Sequence, residues 1–256
     1  MKNNLNLLSF FVLSILLGGA CTKNNSTTPG GPASTNSTTI TPSTATSYFG
    51  ILNITSAQTV QQGTSLYPAI NICSAYFSNT AVPDITPSTF VKVDSLSLNG
   101  RRFKFSGYEY QDTTYQITYP SATWHVTGLA VIPSFTYTNA TPLPTFTGYA
   151  TLPDTIHINQ QLTVAVTGVT GSDQTNVIIS DGSNASGHTV SQVLGTGATS
   201  VTFPASSLSS LTTTTTTTSN AFININCIKN NAQAVNGLPF NFQLSYQLNK
   251  TIYIKQ

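Results

Sequence analysis

The chain reads as an all-β protein, with two immunoglobulin-like β-sandwich modules behind a disordered tether. Three observations predict this. Thr, Val, Ile, Tyr and Phe are plentiful while Met occurs once, a composition that suits strands better than helices. From Tyr48 onward, short apolar runs alternate with Gly, Pro, Asn and Ser punctuation at close spacing, the pattern of sandwiches. No long stretch carries a helical apolar period.

The strands predicted in order begin with Tyr48–Thr55 and Tyr67–Phe77. Next comes Val91–Phe105, split by Asn99-Gly100. Asn-Gly is the strongest short hairpin signal, because both central residues of a type I′ turn need positive φ. Pairing about it sets Leu98 opposite Arg101 and Leu96 opposite Phe103, with Leu96, Phe103 and Phe105 on one core face. Tyr115–Tyr119, Ala122–Thr127 and Phe135–Thr138 complete a first module, 48–140. The Pro- and Thr-rich stretch 139–148 reads as a boundary. The second module, 141–256, takes Thr155–Ile158, Leu162–Val166, Asn176–Ser180, Thr189–Val193 and Ser200–Phe203. It closes with Ala221–Ile228, Phe240–Leu248 and Thr251–Ile254. Ser206–Leu211 suits one short helical turn, and the unbroken threonines 212–218 suit an exposed loop.

The first residues carry a different kind of information. Lys2 precedes an apolar run from Leu7 to Leu17 that ends in Gly18-Gly19-Ala20-Cys21. A basic start, a short apolar core and small residues make an export signal. The apolar run has 11 residues, where a membrane span needs roughly 20. Leu16-Leu17-Gly18-Gly19-Ala20-Cys21 resembles a bacterial lipoprotein signal, with Gly18 where that family usually has Leu. The resemblance implies a signal peptide over 1–20, cut before Cys21, and lipidation of Cys21 by fatty acyl chains such as palmitate. One acyl chain holds a protein only reversibly, whereas several make a permanent anchor. Thr22 after the cysteine resembles an outer-membrane sorting signal. Lys23-Asn24-Asn25 resembles, with amides in place of acids, the surface-display signal of Bacteroidota lipoproteins. The expected address is the cell envelope, lipid-anchored at the outer membrane, on its periplasmic or its surface face. Residues 21–47 then form the lipidated cysteine and disordered tether. They hold a single bulky apolar residue, Ile40, and a coil of that length spans on the order of 30 Å.

Composition narrows the function. Only 6% of residues are charged and the formal net charge is +2, which argues against a nucleic-acid partner. Hydrophobic content of 39% and aromatic content of 10% suffice for a packed core. The three His, one Glu and six Asp form no metal or nucleophile motif, so no catalytic residue, metal or cofactor is expected. A glycan-active hydrolase would need two nearby carboxyls, and Glu109 and Asp112 are the closest such pair. Ser180-Asp181-Gly182-Ser183-Asn184 lacks the ligand spacing of a calcium loop and reads as a turn.

With Cys21 lipidated, Cys73 and Cys227 are left either as buried thiols or as a candidate disulfide. Such a bond would contribute on the order of 5 kcal/mol by closing a long loop. Tyr108, Tyr110, Tyr115 and Trp124 are the candidate ligand-binding residues. They lie in an aromatic stretch that also holds Tyr119, and its rings either stack on sugar faces or fill the sandwich core. Asp94-Ser95, Asp112-Thr113 and Asp154-Thr155 resemble the O-glycosylation sites of Bacteroidota exported proteins, with Ser95, Thr113 and Thr155 as acceptors. The function expected is a non-enzymatic, lipid-anchored envelope protein whose modules serve binding or adhesion, with a glycan or another envelope protein as partner. The alternative is a glycan-binding module built on the Tyr108–Trp124 region.

Overall fold

The computed structural model describes residues 38–61, 65–83, 88–112, 114–115, 121–182, 188–214 and 220–256. The signal, Cys21, the tether to residue 37, Thr113, Tyr119, Ser183, Asn184 and threonines 215–218 lie outside the described residues. Residues 38–256 form one compact unit, and its fold is all-β.

In chain order the strands are β1 (Ile40–Pro42), β2 (Tyr48–Val60), β3 (Ile70–Val82), β4 (Ser95–Leu98), β5 (Arg101–Arg102), β6 (Lys104–Ser106), β7 (Glu109–Gln111), β8 (Ala122–Thr127) and β9 (Phe135–Asn139). They continue with β10 (Thr145–Phe146), β11 (Thr155–His157), β12 (Leu162–Ala165), β13 (Val169–Thr170), β14 (Gln174–Ser180), β15 (Thr189–Gly195) and β16 (Ser200–Phe203). The last are β17 (Phe222–Lys229), β18 (Ala232–Val235), β19 (Leu238–Thr251) and β20 (Tyr253–Lys255).

A ten-stranded sheet runs in the order β15-β14-β17-β19-β2-β3-β7-β6, with β18 also on β19 and β1 on β18. Its central pair, β19 with β2, is parallel from Phe240–Gly50 to Lys250–Val60. The other pairings in the sheet are antiparallel. The inward side chains of this sheet feed two cores. Toward one end, Leu52, Ile54, Cys73, Phe77, Phe240 and Phe242 meet Leu96, Leu98, Trp124, Val126 and Phe135, which come from the four-stranded sheet β5-β4-β8-β9 or the loop beside it. Toward the other, Val177, Ile179, Ile223, Ile225, Cys227 and Leu248 meet Val164, Phe203, Leu208, Ile156 and Ile254. These belong to the ladders β12-β16 and β11-β20 and to a helical turn, Ala205–Leu208.

The stretch 139–148 divides most residues of the two cores. Val235, Phe240, Phe242 and Leu244 nevertheless sit in the first core and Val60 in the second. β19 therefore supplies inward side chains to both. Buried Asn139 ties β9 to it, donating to the Phe242 carbonyl and accepting from Asn231 Nδ2.

The Asn99-Gly100 hairpin forms as predicted, with φ of 49° and 78° and Leu98 opposite Arg101. Leu96 and Phe103 are core residues. Phe105 does not continue their strand. The chain leaves the four-stranded sheet at Phe103, and β6 joins the ten-stranded sheet beside β7. Phe105 reaches the same core from there, its ring 5.2 Å from that of Tyr110. A second Asn-Gly turn, Asn236-Gly237, with φ of 50° and 83°, joins β18 to β19 and is not among the predicted elements.

Residues 38–47, read from the sequence as part of the tether, belong to the compact unit. Thr39 N donates to Asn236 Oδ1, β1 pairs with β18, and Ile40, the tether's one bulky apolar residue, packs on the first core. Thr38 marks where the body begins, its hydroxyl bonded to the Ser134 carbonyl. The helical turn starts at Ala205 rather than Ser206, with Leu208 and Leu211 buried beneath it.

Candidate functional site

β19 has the strictest alternation in the chain. Phe240, Phe242, Leu244, Tyr246 and Leu248 point into the cores, while Asn241, Gln243, Ser245, Gln247 and Asn249 line the opposite face. Successive strand residues point to opposite sides, so the register extends this polar stripe across the sheet. Asn176 lies beside Asn226, which lies beside Gln247. Asn224 lies beside Asn249 and Asn249 beside Thr59. Ser245 neighbours Thr55, and Gln243 neighbours Asn53, then Ser74 and Gln111. The outer face of the ten-stranded sheet thus carries rows of amides and hydroxyls, with Ile51, Ile72, Tyr76, Ile178, Phe222 and Ile228 set among them.

Many of these polar groups are bonded to one another. Asn53 Nδ2 donates to Thr55 Oγ1 at 2.9 Å, and Thr55 and Ser245 hydroxyls share a 2.7 Å bond. Gln174 donates to Asn176 at 2.7 Å and Asn224 Nδ2 to Asn249 Oδ1 at 2.9 Å. Asn241 and Gln243 amides both donate to Asn230 Oδ1. Central-strand side chains are crowded from both sides, so Asn224 is only 3% exposed and Asn249 7%. Around them Thr59, Ile178, Phe222, Asn226, Gln247 and Thr251 are half-buried. Three buried amide atoms of the face, Asn53 Oδ1, Asn226 Oδ1 and Asn249 Nδ2, have no hydrogen-bond partner among the described residues.

The aromatic stretch is placed differently from the stacking platform. Trp124 is 1% exposed, edge-on to Phe103 at 5.5 Å. Tyr110 is 5% exposed, and its hydroxyl donates to the Val93 carbonyl and accepts from the Val93 N–H. These two are core residues and cannot stack on a ligand. Tyr108 is half-buried with its ring 6.1 Å from that of Tyr76. Tyr115 is 38% exposed, at a backbone φ of 54°. Of the four candidate ligand-binding residues, Tyr108 and Tyr115 retain surface for contact.

Glu109, Asp112 and Asp181 are held by internal hydrogen bonds. Both Glu109 oxygens accept hydrogen bonds, from the Tyr76 hydroxyl and the Gln111 amide. Asp112 Oδ1 accepts from Thr114 N and Oγ1, which closes a turn. Its Oδ2 is buried without a partner among the described residues. Asp181 accepts from His188 N and Thr212 N, tying the start of β15 to the segment that follows the helical turn. Among the described residues no three His, Cys, Asp or Glu side chains gather as metal ligands. Lys250, 2% exposed, is pinned in the second core by the Leu152 carbonyl and by Asp154 at 2.9 Å. An open cleft of about 270 Å³ lies at the mouth of the first core between Lys92, Asp94, Arg102 and Phe105.

Of the glycosylation acceptors, Ser95 is half-buried and its hydroxyl donates to Thr127 Oγ1. Thr155 is half-buried in β11, paired with Tyr253. No protein-family model matches the chain, and no curated protein or solved structure resembles it beyond chance.

Cys73 and Cys227 are free thiols and form no disulfide, because each points into a different core. Burial, reinforced by the Asp112 charge, pushes the Cys73 thiol up to about 12. Burial pushes Cys227 up to about 11 against a hydrogen bond from Thr175. The thiolate is the reactive form. Neither cysteine is therefore expected to react with a thiol-specific disulfide reagent in the native protein at pH 7, and both should react in denaturant. Reaction of either thiol in the folded chain would contradict this placement.

Burial also raises the Tyr246 phenol, to about 12. The Tyr76 phenol is raised by burial and by its bond to Glu109. The folded chain keeps these protons to higher pH than the unfolded chain does. Stability is then complete below the unfolded thiol range, near pH ~8.5, and falls as pH rises toward the folded values. Denaturant midpoints should be level between pH 6 and 8 and decline steadily above about pH 9. A level midpoint to pH 11 would contradict the raised values.

Proposed function

We propose that this chain is a lipid-anchored protein of the bacterial cell envelope that binds a partner and catalyses nothing. The run Leu16-Leu17-Gly18-Gly19-Ala20-Cys21 carries the anchoring, and the polar stretch after it gives the body reach from the outer membrane. In this reading the two lobes are immunoglobulin-like modules, 48–140 and 141–256, fused through the strand that enters both cores. The amide face supports binding, since it offers many hydrogen-bond groups and few charges over a broad sheet. The carboxylates most suited to glycan hydrolysis, Glu109 and Asp112, are spent on internal hydrogen bonds and a turn. Tyr108 and Tyr115 leave too little open ring surface to carry glycan binding from the aromatic stretch. Adhesion or ligand capture, rather than turnover, is the role that fits.

The test is incubation of the mature chain with panels of polysaccharides and peptides, following new reducing ends and new amines. The expected result is no release above the protein-free control. Hydrolysis at ordinary enzymatic rates would overturn the reading.

A further inference from the structure

We propose that the loop joining β8 to β9, residues 128–134, docks the body on a phospholipid bilayer, with Leu129 and Val131 seated at the boundary of headgroups and acyl chains. The inference rests on the chain being lipid-anchored at Cys21. Leu129 is 55% exposed and Val131 46%, on either side of exposed Ala130. Apolar residues scattered singly over a surface need no explanation, whereas contiguous ones mark a contact. The loop holds no charged residue, so seating it in lipid buries no ion. Its neck is closed tightly. Ile132 is 2% exposed in the first core, and its N–H donates to the Leu129 carbonyl at 3.2 Å. Gly128 N donates to Ser134 Oγ at 2.9 Å, and a Cβ on Gly128 would stand 2.0 Å from the Ile132 carbonyl oxygen. Ala130 takes a φ of 55°, which a residue with a Cβ adopts at a cost. These contacts hold Leu129 and Val131 outward.

The path of the chain names the partner. The compact unit begins at Thr38, and the Thr38 hydroxyl donates to the Ser134 carbonyl at 3.1 Å. Thr38 thus stands two hydrogen bonds from Gly128, at the base of the same loop. Thr39 is held in turn by the uncharged Asn236-Gly237 turn. The stretch from Cys21 to Thr38, read as a coil of about 17 residues, has an end-to-end distance of roughly 20–25 Å. That keeps this end of the body beside the bilayer that holds the acyl chains. Two aliphatic side chains hold a free body on lipid only weakly. On an anchored body the same contact is intramolecular, with an effective concentration on the order of mM for a short linker, and it then fixes which end meets the membrane. Val193, 64% exposed on β15, is remote from that end. It lies in the row of Asn176, Asn226 and Gln247. Gln247 is roughly 23 Å along β19 from Phe240, whose ring meets that of Phe135 just after the loop.

The experiment joins the full mature chain through its Cys21 thiol to a maleimide lipid in phosphatidylcholine vesicles, so that the body is held at a bilayer whether or not a cell acylates Cys21. Cys73 and Cys227 are buried and do not compete. A tryptophan is placed at the tip, Val131→Trp, or on β15, Val193→Trp, with buried Trp124 as the common background. The tip indole should lie roughly 5–10 Å into the boundary of headgroups and acyl chains, so its emission should move to shorter wavelength and fall by about half when those chains carry bromine. The Val193→Trp chain and the parent should show neither change. Adding Leu129→Asp to Val131→Trp should abolish both changes with unchanged melting, whereas high salt should preserve them, because no ion pair holds the tip. Equal emission at the two positions, or quenching that survives Leu129→Asp, would overturn the docking. So would a wavelength shift at the tip without bromine quenching, which would mean that a second copy or another protein covers it. A precursor that takes up no palmitate in cells would overturn the anchoring alone, since the vesicle result depends on a chemical link.

Discussion

Trp124→Ala is expected to remove about 3–5 kcal/mol of folding stability, the range for truncating a fully buried tryptophan. The side chain sits on β8 at 1% exposure, against Phe103 from the facing end of the Asn-Gly hairpin. Leu98 is its direct neighbour across the β4–β8 ladder. Nothing nearby can collapse into so large a void, because Phe77, Phe240 and Phe242 in the same cluster are themselves fully buried and locked against other rings. A domain has roughly 5–15 kcal/mol in total, so this loss takes a large share. Equilibrium denaturation followed by circular dichroism checks it. The unfolding should remain a single transition, since β19 supplies Phe240, Phe242 and Leu244 to one core and Tyr246 and Leu248 to the other. Tyr115→Ala, at an exposed position, should change stability by less than about 0.5 kcal/mol. A Trp124 variant as stable as the parent would mean that the ring is not a core anchor.

The contrast between Trp124 and Tyr115 shows where sequence reasoning stops. Period-2 alternation places Tyr108 and Tyr110 on one strand face, yet it does not say which face meets water. Gly107-Tyr108-Glu109-Tyr110-Gln111 has rings on one side and polar groups on the other, and either side could be outward in a short strand. The structure decides it by bringing Phe77 and Phe105 against Tyr110, partners that come from separate strands. The hairpin at Asn99-Gly100 was legible because its whole cause is local. Asn236-Gly237 carries the same local signal, and the alternation that follows it from Phe240 was equally readable. Its polar half, Asn241 to Asn249, was the available clue to the outer face. The parallel pairing of β19 with β2 leaves no such trace. It joins residues nearly two hundred positions apart, and its register follows from how both cores fill. The split at Phe103, where one predicted strand serves two sheets, is equally a tertiary outcome.

Cys21→Ser is expected to have the largest effect on where the protein resides. An anchor of several acyl chains is held by about 0.8 kcal/mol for each buried methylene, so its loss converts a permanently attached protein into a free one. Among the described residues no helix is long and apolar enough to cross a membrane. The body itself should fold unchanged, because both of its cores are built from residues well beyond the cysteine. Metabolic labelling of the full precursor with radioactive palmitate in a bacterial host, followed by membrane fractionation, tests the anchoring most directly. The expected result is label on the wild-type chain in the membrane fraction, resistant to high salt and released by detergent, with an unlabelled, soluble Cys21→Ser chain. Label-free wild type, or a Cys21→Ser chain that remains membrane-bound, would contradict it.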